Sequence, residues 1–249
     1  LILSPGTLGL RVSGFYRKDE GFIDNPSEGE DVNDFDSIGG RAVLLAQPTD
    51  ALEIRLSAFL SRDEMGESTQ IDPGSDPEDL TFSVSPMSGD FDDDFDLYAG
   101  RISYDFGAFN FTSITGYYDR STASSLFSAG NTFGLDPFFE SDVMGSDIDT
   151  TSFITASTDQ EQWSQEFRLV SNFDGPLNFT SGLYFRDKEI TTIASLECVG
   201  CAAVTTPSST NLANEINTVD SVQYSGFLEL TYEVTDRLRL IGGLRYVND

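Results

Sequence analysis

The chain of 249 residues has no histidine, two cysteines, one tryptophan, and 14 basic residues against 42 acidic ones. Each shortage excludes something. Without histidine there is no Ser-His-Asp or Cys-His nucleophile, no His-ligated zinc and no imidazole general base. A net charge of -28 excludes nucleic acid or an anionic lipid surface as a partner held by a basic patch. No run of 18 apolar residues occurs, so no helix is expected to cross a membrane. The mean hydropathy of -0.21 is that of a water-exposed chain. A transmembrane β-barrel gives the same value, because only alternate strand residues face lipid.

What is present is a period of two. In Ser221 to Asp249, Leu238, Leu240, Gly242, Leu244 and Tyr246 alternate with Arg237, Arg239, Ile241, Gly243 and Arg245. The preceding arm alternates Val222, Tyr224, Gly226, Leu228, Leu230 and Tyr232 with Gln223, Ser225, Phe227, Glu229, Thr231 and Glu233. Only strands use such spacing, and Val234 to Asp236 is short enough to predict a hairpin. Each arm is about 11 residues, roughly the length that crosses an outer-membrane bilayer at a tilt. Strands of soluble sheets are usually half as long.

The same pattern recurs along the chain. Alternation over 8–17, 38–47, 52–60, 98–106, 109–118, 163–171 and 177–186 predicts seven further strands. Leu1-Ile2-Leu3, running into Ser4-Pro5-Gly6-Thr7, reads as the tail of another. Short turns near residues 49, 107, 175 and 235 alternate with long acidic or Ser/Thr-rich loops expected at 19–36, 63–97, 119–160 and 187–220. That asymmetry is expected of an outer-membrane barrel. We therefore expect an all-β, antiparallel up-and-down meander of long hairpins. It would be a partial transmembrane β-barrel of about nine or ten strands, with residues 1–249 a single segment of a larger barrel. Charge agrees with this register. Basic residues are absent from 63–100, 121–167 and 189–236, while Arg11, Arg41, Arg55, Arg101, Arg168 and Arg245 fall on the polar side of their strands. Each would cost about 2 to 4 kcal/mol if it faced mid-bilayer lipid.

Several segments resemble a known family. Ser113-Ile114-Thr115-Gly116-Tyr117-Tyr118-Asp119, Trp163-Ser164-Gln165-Glu166-Phe167-Arg168-Leu169-Val170-Ser171, Gly182-Leu183-Tyr184-Phe185 and the final hairpin, Leu228 to Tyr232 through Leu238 to Tyr246, are similar to the barrel of TonB-dependent receptors. The resemblance runs through essentially the whole chain. It implies a 22-stranded barrel closed by an N-terminal plug and an energy-coupled importer, not an enzyme. The cargo in that family is most often a ferric siderophore, and elsewhere vitamin B12, haem or oligosaccharides. It also implies an outer-membrane location in a Gram-negative bacterium, contact with lipid and lipopolysaccharide, and TonB acting through a plug that these residues do not include. Arg41, Arg101, Arg168 and Arg245 become the expected ligand-facing positions of the lumen. No cofactor is implied. A passive porin-like or structural barrel and a secreted all-β carbohydrate-binding protein are the alternatives.

Other motifs carry less. Asp90, Asp92 and Asp94 alternate like the opening of a calcium loop, but no glycine follows at the sixth position and Arg101 stands where its last carboxylate belongs. An acidic loop tip is expected, and no metal site. Cys198-Val199-Gly200-Cys201 has redox spacing without a βαβ setting, so Cys198 and Cys201 are disulfide candidates on an exported loop. Asp105-Phe106-Gly107 is a turn, and Asn110-Phe111-Thr112 and Asn178-Phe179-Thr180 are chance glycosylation matches inside strands. Tyr16, Tyr104, Tyr117, Tyr184 and Tyr246 are expected in aromatic girdles, and Phe127, Phe133, Phe138 and Phe139 in packed loops.

Overall fold

Alternating apolar and polar residues with no helical period leave the backbone one way to pair its N–H and C=O groups, the ladder between neighbouring strands. The computed structural model describes residues 2–4, 6–26, 29–66, 71, 80–82, 89–128, 151–199 and 211–249. These form β1 (Ile2–Ser4), β2 (Leu8–Asp19), β3 (Phe35–Thr49), β4 (Leu52–Met65), β5 (Phe91–Asp105), β6 (Phe109–Ser128), β7 (Thr151–Ser171), β8 (Leu177–Val199), β9 (Asn211–Thr235) and β10 (Leu238–Asn248). One antiparallel sheet holds them in sequence order from β1 to β10, and it is not closed. This is the expected meander, with the predicted stub as β1.

The strands run further than the alternation did. β6 continues to Ser128, β7 begins at Thr151, β8 reaches Val199 and β9 starts at Asn211, so much of the loops expected at 119–160 and 187–220 is ladder. Most of the stretch expected as an acidic loop tip also belongs to a strand, because Asp92 and Asp94 lie in β5 and Asp90 immediately precedes it. In these distal parts both faces mix polar and apolar residues, which erases the period of two. Cross-strand hydroxyl and carboxylate pairs take its place, among them Thr158 with Thr192 at 3.1 Å, Thr191 with Thr218 at 3.2 Å, and Ser121 donating to Asp159 at 2.7 Å.

The short turns are built by local polar groups. Gly107 adopts a φ of 81°, and its N–H reaches the Asp105 carboxylate at 2.7 Å, closing β5 onto β6. At the β7–β8 turn, Asn178 Oδ1 accepts from the Phe173 N–H at 2.9 Å and from the Ser171 hydroxyl at 2.7 Å. The side chain that completes a glycosylation pattern is thus engaged in a turn.

Hydrophobic burial hardly contributes to this molecule's interior. Ile23 and Phe82 are the buried apolar residues among those described, and they belong to connections, not to the sheet. The β2–β3 connection folds on itself, with Asn33 Oδ1 accepting from the Phe22 and Ile23 N–H groups at 2.7 and 2.8 Å. It then pairs with the β4–β5 connection through Asp24 N–H to Leu80 C=O and Phe82 N–H to Asp24 C=O, each 2.9 Å. By contrast, Val12 is 70 % exposed, Leu183 64 % and Leu244 69 %. A soluble protein buries such rows; a barrel leaves them for lipid.

Candidate functional surface

Cross-strand register assigns every side chain to one of two faces. On the apolar face, Ile102 stands opposite Ile54, Leu56 beside Leu44, and Leu183 between Phe167 and Gly226. Two aromatic belts bound this band. One, beside the short turns, contains Tyr104 against Phe106 at 4.4 Å and Phe109 against Phe173 at 5.2 Å. The other contains Tyr98 with Tyr117 at 6.5 Å, Trp163 with Phe185 at 5.3 Å, and Phe185 with Tyr224 at 5.0 Å. The belts lie roughly 20 to 25 Å apart along the strands at about 3.3 Å per residue, matching the apolar height of an outer-membrane barrel. Polar groups within the band satisfy one another. Thr115 donates to Gln165 Oε1 at 2.6 Å, and Gln165 Nε2 donates to the Ser113 hydroxyl at 2.9 Å.

Beyond the second belt the same face turns acidic. Asp96, Asp119, Glu161, Glu189 and Asp220 stand in register across five adjacent strands, β5 to β9. Of these, Asp96 is held by a cation, Arg62, at 2.5 Å. This row marks where the apolar band ends. Its alignment depends on the pairing of distant segments and is invisible along the chain.

The polar face carries the candidate site. Arg11, Arg41, Arg55, Arg101, Arg168 and Arg245 all lie on it, as the register of β2 to β10 requires. Their surroundings differ. Arg55 and Arg101 are directly opposite, and Arg41 and Arg11 stand nearby on β3 and β2. Arg168 lies elsewhere on the wall, paired with Glu166 at 2.7 Å, and Arg245 is opposite Phe227 on the last strand. The four expected ligand-facing arginines therefore do not form one group. Two join Arg11 and Arg55, and the other two stand apart.

Beside that patch is an aromatic row. Phe59, in register with Arg41, approaches Phe95 at 6.1 Å between ring centroids, and Phe95 approaches Tyr118 at 6.0 Å. Past it, Arg120 makes a bidentate pair with Asp93, at 2.8 and 2.5 Å. Guanidinium groups, half-buried aromatic rings and a fixed ion pair give this wall the means to hold a ligand that is both charged and flat. Phe59, Phe95 and Tyr118 were not singled out from the sequence. Their shared parity with Arg41 and Arg101 was the available signal.

Three expectations need correction, and others fall outside the described residues. Tyr184 does not join the girdles, because it stands between Glu166 and Ser225 on the polar face, one residue out of phase with Leu183 and Phe185. Tyr16, Tyr104, Tyr117 and Tyr246 are on the apolar face. Instead of a loop tip, Asp92 and Asp94 lie in β5, where the carboxylates of Asp93 and Asp94 form ion pairs with Arg120 and, at 3.4 Å, with Arg62. Among the described residues no cluster of carboxylates or thiols has metal-binding geometry. The Cys198 backbone lies in β8 opposite Ser152, but its side chain and Cys201 lie outside the described residues. So do Phe133, Phe138 and Phe139, whereas Phe127 belongs to β6 and not to a loop.

Known proteins share this architecture. The ferric yersiniabactin uptake receptor FyuA from Yersinia pestis superposes with a TM-score of 0.76 at 16 % identity, over 98 % of this chain and 35 % of that one. The ferric-catecholate import receptor Fiu from E. coli K12 gives 0.66 at 12 % identity, over 98 % and 40 %. The copper transporter OprC gives 0.61 at 16 % identity, over 97 % and 32 %. At such identities the likeness concerns the fold, and the chain spans about a third of the length of these structures. A family model described as TonB dependent receptor-like, beta-barrel, matches residues 55–249. With its open sheet, two aromatic belts and arginine-bearing polar face, this chain belongs to the TonB-dependent receptor β-barrel family.

Proposed function

We propose that residues 1–249 are a single segment of the barrel wall of an outer-membrane TonB-dependent transporter in a Gram-negative bacterium, and that its cargo is a ferric siderophore. The division of the sheet into two faces is the observation that carries this. One face offers lipid an apolar band between aromatic belts, and the other lines a wet lumen with Arg41, Arg101, Arg168 and Arg245. Lipid and the lipopolysaccharide leaflet cover the first face. TonB acts through a plug domain seated within the second. The family consists of receptors, not enzymes, and this wall contributes binding, not bond-making. FyuA and Fiu carry ferric cargo by name, which favours iron, while OprC is by name a copper transporter of the same fold, so the fold by itself does not argue for iron.

The test is uptake of radiolabelled ferric siderophores by iron-starved cells producing the whole protein. Accumulation is expected with TonB present and not in a strain lacking it. TonB-independent entry, together with steady ion conductance across a planar bilayer, would overturn the transporter in favour of a passive pore.

A further inference from the structure

On the apolar face, β6 departs from the pattern that its neighbours keep. Phe111 and Tyr117 bound its stretch of the lipid band, and the two positions between them on that face are Ser113 and Thr115. Thr115 stands opposite Gly100 on β5 and Gln165 on β7. Comparable positions on other strands hold Ile54, Leu56, Leu169 and Leu183. A hydroxyl or amide turned to hydrocarbon is destabilising unless hydrogen bonds answer it. These three side chains answer one another only in part. Thr115 donates to Gln165 Oε1, and Gln165 Nε2 donates to Ser113 Oγ and, at 3.1 Å, to the Glu166 carbonyl. The Ser113 hydroxyl proton meets no acceptor among the described residues.

The trio borders a groove. Ala58, Gly100, Ser113 and Thr115 line a cavity of about 600 Å³ together with Tyr98 and Trp163 of the second belt. That volume is in the range of small-molecule sites. A Cβ at Gly100 would meet only the end of the Leu56 side chain, Cδ2 at 3.4 Å, so the backbone does not demand a glycine and the groove stands open where a larger residue would fit. Thr115 lies two residues from Tyr117, about 7 Å along the strand and roughly 5 Å in depth once tilt is taken. Aromatic belts mark the head-group level, which places the trio where acyl chains leave their head groups. We infer that the groove holds one acyl chain of an outer-leaflet lipid, and that Ser113, Thr115 and Gln165 hydrogen-bond a hydroxyl carried near the head end of that chain, as in lipopolysaccharide. This rests on the proposed orientation, in which the long connections face outward. A second copy in the groove would bring two rows of carboxylates, Asp96 to Asp220, against each other. The same rim favours no phosphate, because its carboxylates outnumber Lys18 and Arg62, and selection falls to the acyl chain.

The test uses the whole protein in detergent micelles, with magnesium present to screen the acidic rim and bound lipid counted by native mass spectrometry. It is titrated with lipid A, with a phosphatidylethanolamine bearing tetradecanoyl chains, and with the same phospholipid bearing 3-hydroxytetradecanoyl chains. Lipid A and the hydroxylated phospholipid should each bind about tenfold more tightly than the plain one. The variant S113A/T115V/Q165L should lose this preference and yet unfold in urea no earlier than the parent, because all three polar groups leave the hydrocarbon together. Gly100→Leu should fill the groove and bind neither hydroxylated lipid. Equal affinity of the parent for the two phosphatidylethanolamines, an unchanged preference in a folded S113A/T115V/Q165L, or a dimer mass in place of a lipid adduct would each overturn the site. A trio serving the fold alone would show as a lower urea midpoint with the lipid preference intact, which also overturns it. The comparison of the two phosphatidylethanolamines needs only the unmodified protein, so it decides the matter even where a variant fails to fold. Binding in micelles is independent of TonB. A lipid preference without energised uptake therefore removes the transporter reading alone, and energised uptake without the preference removes this site alone.

Discussion

At the residue scale, two glycines on the polar face exist to make room for rings. A Cβ on Gly182 would meet the Phe227 ring well inside van der Waals contact and the Phe167 carbonyl oxygen at 3.0 Å. A Cβ on Gly39 would lie 2.5 Å from Phe15 Cζ and 2.7 Å from the Leu60 carbonyl oxygen. The difference is what can yield. A ring edge rotates away at moderate cost, whereas a ladder carbonyl moves only with its strand. Gly182→Ala and Gly39→Ala should each destabilise the folded barrel by about 1 to 3 kcal/mol, measured as a shift in urea unfolding in micelles. Adding Phe227→Leu to Gly182→Ala should recover most of the loss. Adding Phe15→Leu to Gly39→Ala should recover little, and full recovery there would show that the Leu60 carbonyl is not the obstacle.

At the scale of elements, the acidic row shows how strand pairing creates an electrostatic feature that no single strand contains. Glu161 on β7 faces Asp119 on β6 and Glu189 on β8, both in register. Like charges directly opposite in a sheet cost about 0.2 to 1 kcal/mol per pair. Glu161→Gln removes two such pairs at once and should raise the urea midpoint at low salt. The gain should shrink toward zero near 1 M salt, where the screening length falls to about 3 Å. A loss of stability at low salt would mean that the row is bridged and not repulsive. The neighbouring Arg62, which meets Asp94 and Asp96, shows what a neutralised stretch of the same rim looks like.

At the scale of the whole molecule, stability comes from the ladder and from what covers the apolar face. The described sheet has hardly any interior of its own, since Ile23 and Phe82 belong to the connections. The 249 residues alone should therefore scatter light and elute as aggregates in plain buffer, and disperse once detergent covers the rows around Leu56, Ile102, Leu183 and Leu244. A monodisperse monomer in water would sink the barrel assignment. The exposed edges at β1 and β10 point the same way, because an unpaired ladder edge in hydrocarbon leaves N–H and C=O groups without partners.

Sequence alone determined the hairpins crossing the apolar band. There one face is apolar and the other polar, so Leu238 to Tyr246 or Ile54 to Leu60 admits one register and one pairing partner across a short turn. The same parity placed Arg41, Arg101, Arg168 and Arg245 on the polar face, and its misassignment at Tyr184 came from judging an aromatic by its position near a strand end instead of by its phase. Only the tertiary structure decided the rest. The distal halves of β6 to β9 mix polar and apolar residues on both faces, so their strand character depends on neighbours and carries no period. The grouping of Arg11, Arg41, Arg55 and Arg101, the contact of Phe59 with Phe95 and Tyr118, and the row from Asp96 to Asp220 join residues from separate hairpins. Local alternation sets the face to which a side chain points, and the register between strands sets which side chains it meets.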